Sequence, residues 1–155
     1  MKFFGHPLHP LFVHFPTALL PMDFVMSLIY YSNNDSSFAL ASFYCLAGGT
    51  LTGFVSILTG LADLLIIPKK NKEARATGLY HGFINAVVIL VFTVLTYQAW
   101  QYYPHTTSSV GILLVKGILI FTLFAGNYLG GRLIYKHHIG LNIKEKEHEH
   151  FTSHN

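Results

Sequence analysis

The chain has 155 residues, enough for one domain. It is 52% apolar and only 11% charged, where a soluble domain is about 25% charged. Its thirteen Phe and nine Tyr add bulk that a water-soluble fold of this size has no interior to hide. The net charge of +3 comes from a few short basic segments, which argues for orientation in a membrane and against nucleic-acid binding. Cys45 is the only cysteine, which excludes an intramolecular disulfide, a Cys-x-x-Cys redox pair and covalent haem attachment through Cys-x-x-Cys-His.

Taken in chain order, residues 1–9 form an opening segment rich in His and Pro, ending in His6-Pro7-Leu8-His9 ahead of Pro10. Proline after His6 and after His9 biases both away from helical backbone, so the first helix is expected to begin near Pro10. Four apolar stretches follow, each long enough to cross a bilayer: about Pro10 to Tyr31, Phe38 to Ile67, Leu79 to Tyr103, and Val110 to Tyr135. The first contains Pro16, Pro21, His14 and Asp23 and has no small-x-small cleavage site, so it is expected to be a retained helix. The connections are short, and each supplies Ser, Thr or Asp ahead of the next helix as an N-cap. The expected architecture is an all-α membrane protein, an up-down bundle of four transmembrane helices over residues 10–136. Residues 137–155, including Lys144-Glu145-Lys146-Glu147-His148-Glu149-His150, lack apolar periodicity and are expected to be a polar, flexible tail.

The charges orient the bundle. Lys2, the loop with Lys69, Lys70, Lys72 and Arg75, and the segment after Tyr135 carry the cations, while the first and third connections have no Lys or Arg. Both termini and the middle loop are therefore expected in the cytoplasm, with Tyr30, Tyr31, Trp100, Tyr102 and Tyr103 as an aromatic belt at the outer interface. Glycines four apart (Gly49 and Gly53, Gly78 and Gly82, Gly126 and Gly130) are expected to let helices approach closely. Deep in the spans, Asp23 and Lys116 are expected to form a buried ion pair, since first and last helices of a bundle are neighbours.

Nearly all the histidines fall at the cytoplasmic end. His14 lies about four residues into the first span and His81 about two into the third, which runs the same way. Their imidazoles are expected to face each other across the bundle, as axial ligation of a b-type haem requires. Gly60, Gly130 and Gly131 would leave flat space, and Arg132 is a cation suited to a haem propionate. His6 and His9, on a non-helical opening, would cap the site, shuttle protons or bind a second ion. The alternative is a bare iron or zinc ion held by His6, His9, His14, His81, Asp63 and His137. Asp63 would pair with Arg132 or orient a ligand histidine. An interfacial histidine more commonly hydrogen-bonds a helix end or a lipid head group, but ionisable groups gathered in a membrane are costly and tend to be functional.

Gly5-His6-Pro7-Leu8-His9-Pro10, Val13-His14-Phe15-Pro16, Gly78-Leu79-Tyr80-His81-Gly82 and Gly131-Arg132-Leu133-Ile134-Tyr135 together resemble a bacterial family of predicted four-helix inner-membrane proteins, the domain of unknown function 2231. The resemblance spans about Gly5 to Leu141 and implies the fold and the inner-membrane location, not an activity. It matches the family's polar positions at His6, His9, His14, Asp63, His81, Asn85 and His137, and so adds Asn85 to the expected cofactor-binding set. It departs at His138, where the family carries glycine.

The expected function is b-type haem binding and electron transfer, with a quinone or a membrane redox protein as partner. The alternatives are a non-haem metal protein and a structural or partner-binding membrane protein without a cofactor. No hydrolase or transferase motif is present. The charge distribution makes one prediction: single cysteines placed in the Lys69-to-Arg75 loop should resist a membrane-impermeant thiol reagent in intact cells, and those in the Pro104-to-Ser109 loop should react. The reverse pattern would invert the topology.

Overall fold

The computed structural model describes residues 2–3, 6–104 and 108–136. Lys2–Phe3 (β1) and His6–Pro7 (β2) pair antiparallel, Phe3 opposite His6. Four helices follow: α1 (Leu8–Asn33), α2 (Ser36–Ile66), α3 (Lys72–Gln101) and α4 (Val110–Tyr135). All four are long and apolar enough to cross a membrane. The expected polar tail from His137 onward, with His148, His150 and His154, lies outside the described residues, as does His105.

Two helices begin earlier than hydropathy suggests. α1 starts at Leu8, so His9 is helical rather than part of a non-helical opening. Pro10 then stands in the first turn, where a missing amide leaves no intrahelical bond unmade. α3 starts at Lys72 rather than Leu79, because Lys72-Glu73-Ala74-Arg75-Ala76 are good helix formers although too charged to count as a membrane span. Its cap is Asn71, whose Oδ1 accepts the Ala74 amide at 3.1 Å. α2 is capped by Asp35 and α4 by Ser109. Hydrogen bonds from the Ser37 hydroxyl and amide hold the Asp35 carboxyl below its ordinary range. Asn34, at φ 54, closes α1 in the left-handed conformation by donating its amide to the Tyr30 carbonyl.

α1 packs most extensively on α2 and α3 on α4, α2 joins α3, and the seam between α1 and α4 is narrow. The centre is Leu20, Leu46, Val88, Ile89, Phe92, Leu119, Ile120 and Leu123. The glycine stripe of α2 serves two neighbours: a Cβ on Gly49 would fall 2.7 Å from Leu20, and one on Gly53 would fall 2.4 Å from Ile89. Gly78 meets Leu64, whereas Gly82 has nothing within 4 Å among the described residues, so there the expected Gly78–Gly82 packing pair reduces to Gly78.

The α1–α4 seam is polar. Lys116 donates to Asp23 Oδ1 at 2.6 Å and to the Ser27 hydroxyl at 2.8 Å, and Ser42 of α2 donates to the same Oδ1 at 2.6 Å. Asp23, Ser27, Ser42 and Lys116 are all buried. One layer away, Asn127 Nδ2 donates to Thr17 Oγ1 at 3.0 Å. In lipid, apolar burial does not drive helices together, so such links and close packing decide which helices meet.

Breaking the ion pair strands one buried charge. Asp23→Asn should destabilise the protein by about 3–5 kcal/mol, and Lys116→Met in the same chain should recover most of that. Thermal melts in detergent would show it. Additive single and double effects would mean that the two groups do not act as a pair.

Candidate functional site

Helical phase selects the inward-facing histidine of α1. The buried residues of that helix are Pro16, Leu20, Asp23 and Ser27. His9 lies five full turns before Ser27 at 3.6 residues per turn, and so shares their face. His14 lies two and a half turns before Asp23, on the opposite face. It is exposed, and its Nδ1 donates to the Pro10 carbonyl of its own helix. Pro16 and Pro21 do not turn it inward, since α1 runs unbroken through both. The expected facing of His14 and His81 is therefore replaced by His9 and His81, whose ring centroids are 6.0 Å apart with planes at 79°.

The two imidazoles are held in the same way. His9 Nδ1 lies 3.0 Å from the Ser56 carbonyl of α2, and His81 Nδ1 lies 2.8 Å from the Gly126 carbonyl of α4. A carbonyl only accepts, so each Nδ1 carries the proton and donates it. Four residues beyond each carbonyl stands a glycine against which the ring packs. A Cβ on Gly60 would fall 2.9 Å from His9 Cε1, and one on Gly130 would fall 2.8 Å from His81 Cε1. A helical carbonyl points towards the residue four positions on, so the missing Cβ at that residue is what opens the carbonyl to a side chain. Gly60 and Gly130 thus seat imidazoles rather than leave flat space between them. Gly131 has nothing within 4 Å of its Cβ position among the described residues.

With both Nδ1 protons committed, Nε2 of each ring carries the lone pair, the form in which a histidine ligates a metal or takes a proton. The Asn85 side-chain amide nitrogen lies 3.1 Å from His81 Nδ1, one turn along α3; it only donates, so beside a protonated Nδ1 Asn85 makes no hydrogen bond to the ring. Its Oδ1 and that of Asn127 are buried without partners among the described residues. Asp63 is half-buried on α2, close enough for its charge to act on His9. Arg132 is exposed on α4 two residues past Gly130. The side chain of His6 and all of His137 lie outside the described residues.

Of the six residues expected to hold a metal, His6 and His137 fall outside the described side chains; among the described residues, no group of three or more His, Cys, Asp or Glu is placed to hold an ion, and the pitch of α1 turns His14 away from His9 and His81. Sequence reasoning passed over Ser56 and Gly126, because a backbone carbonyl leaves no mark in a residue pattern.

The family model described as Predicted membrane protein (DUF2231) matches residues 5–142. The chain belongs to this family. Its matched region takes in the whole helical bundle and both imidazole seats, and the family description agrees with the four spanning helices. No curated protein and no solved structure matches the chain.

The seats make separable predictions. Ring nitrogen shifts of 15N-histidine protein at pH 8 should show His9 and His81 as the Nδ1-protonated tautomer. Gly60→Ala should displace the His9 signals alone and Gly130→Ala those of His81 alone. Signals of both rings averaging between tautomers in the unmodified chain would contradict the seats.

Proposed function

We propose that this protein is a membrane electron carrier in which His9 and His81 bind the iron of a b-type haem. The observation that supports the reading is the pair itself: two imidazoles from two helices, each fixed through Nδ1 so that Nε2 remains the ligating nitrogen. A b-type haem would take two imidazoles from the protein, and His9 and His81, with ring centroids 6.0 Å apart, are the residues that would hold it. Gly82 and Gly131, each next to a residue of the His81 seat and open to 4 Å among the described residues, leave room beside the pair. Arg132 would meet a propionate. Haem, when bound, would supply one-electron chemistry; the chain holds the two imidazoles at one level and in one tautomer.

By the positive-inside rule, the basic segments support a cytoplasmic position for this end of the bundle and for both termini, in a bacterial inner membrane. The partner in electron transfer would be a quinone or a membrane redox protein. Asp63 beside His9 favours one second reading, a bare iron or zinc ion that His6 or His137 would complete.

Spectra of the detergent-purified full chain, oxidised and then reduced, should show a Soret band and sharpened visible bands. His9→Ala and His81→Ala should lose them, and His14→Ala should keep them. Stoichiometric iron or zinc without those bands would support the second reading. Neither haem nor metal, or loss of haem with His14→Ala alone, would overturn the proposal.

A further inference from the structure

The bundle end opposite the histidines contains a cavity of about 330 Å³ to which all four helices contribute. Its polar floor is Ser27, Ser42 and Lys116, with Leu46 lining it more deeply. Each of the three polar residues lies six residues inside its helix (27 to 33, 36 to 42, 110 to 116), about 9 Å deep. Towards the mouth are Phe43, Gln98 and Tyr102. We infer that this cavity binds the head group of a lipid-soluble quinone. The inference gives a place to the quinone partner suggested above but does not need the haem.

Hydrogen-bond accounting defines the ligand. The Ser42 and Ser27 hydroxyls spend their protons within the floor, on Asp23 Oδ1 and on each other. The Lys116 ammonium has three N–H bonds, of which Asp23 Oδ1 and Ser27 Oγ take two. The third is the unspent donor at the polar floor of the cavity, and it calls for an acceptor such as a carbonyl oxygen. The floor has no net charge to offer, because Asp23 and Lys116 cancel and, among the described residues, no other Asp, Glu, Lys or Arg lines the cavity. An anion or cation would find no counter-charge and would lose its hydration on entering, so the ligand is neutral. The walls are flat and aromatic at Phe43 and Tyr102, suited to stacking on a ring. A pocket of this size, with apolar walls and several converging polar groups, fits a small-molecule site. A neutral ring bearing carbonyl oxygens and dissolved in the bilayer is a quinone.

The test uses Trp100, the only tryptophan, whose ring centroid is 6.2 Å from that of Phe43. The full chain in detergent is titrated with a ubiquinone carrying a single isoprene unit. Trp100 fluorescence should be quenched saturably, and equally in His9→Ala, which separates this site from the haem reading. Asp23→Asn with Lys116→Met removes the donor without stranding a charge, and should weaken binding by about tenfold or more. Ala99→Phe, which fills the cavity and leaves the ion pair intact, should abolish saturation. Quenching that rises linearly, as for a tryptophan ester in empty micelles, would overturn the proposal. So would wild-type affinity in either the double variant or Ala99→Phe.

Discussion

A polar side chain in a membrane helix has to find its partner within the protein, because the hydrocarbon offers none. That constraint organises this molecule. Polar groups on the helices turn inward and meet: Lys116 with Asp23, Asn127 with Thr17, Thr50 with Thr96 at 2.9 Å. Apolar groups turn outward, so that Leu58, Phe83, Phe121 and Tyr128 are largely exposed on the bundle surface. The inside-out distribution leaves helix association to packing and polar contact. The α1–α4 seam, the narrowest, therefore depends most on its two side-chain links.

The same constraint explains why the imidazoles are seated on backbone. A helical carbonyl already accepts one bond and has a second lone pair to offer, but side chains normally screen it. Glycine four residues on removes the screen. The device appears twice with nearly the same spacing, His9 to Ser56 over 47 residues and His81 to Gly126 over 45. The α1–α2 and α3–α4 hairpins thus present equivalent nitrogens at one level of the bundle. Fixing Nδ1 in both rings leaves Nε2 of each without a proton. Asn85 adds an amide at His81 alone, so the two seats are not chemically identical.

Most of the architecture was legible in the sequence because lipid imposes a length and a polarity that show directly. The four spans and the Asp23–Lys116 pair followed from hydropathy and from the adjacency of first and last helices. The start of α3 did not, since a helix that continues into water stops looking like a membrane span at Leu79 while its backbone continues back to Lys72. The choice of His14 over His9 failed on phase. Depth alone puts both near one end of α1, but only His9 shares a face with Pro16, Leu20, Asp23 and Ser27. Counting turns back from Asp23 would have found it. The proline after His9 hid that route, because it suggested that the helix had not yet begun. Ser56, Gly126 and the cavity were beyond reach for another reason: each exists only where separate helices converge.

The two polar ends are insulated from each other. Along α1, His9 and Asp23 are fourteen residues apart, about 21 Å of helix. Between them lies the layer of Leu20, Ile89, Phe92, Ile120 and Leu123. Moving a charge through such a layer without partners is costly, so titration of one end does not feed the other through the bundle interior. Thr17 and Asn127 shorten the gap from the histidine side, and Leu20, one turn further along α1, closes it. A ligand at the Lys116 end would exchange protons with the membrane face where Tyr102 and Ser108 open the cavity. A cofactor at the His9–His81 end would do so through its own face, beside Arg132. The bundle thus carries two polar clusters, one towards each end, separated by one apolar layer.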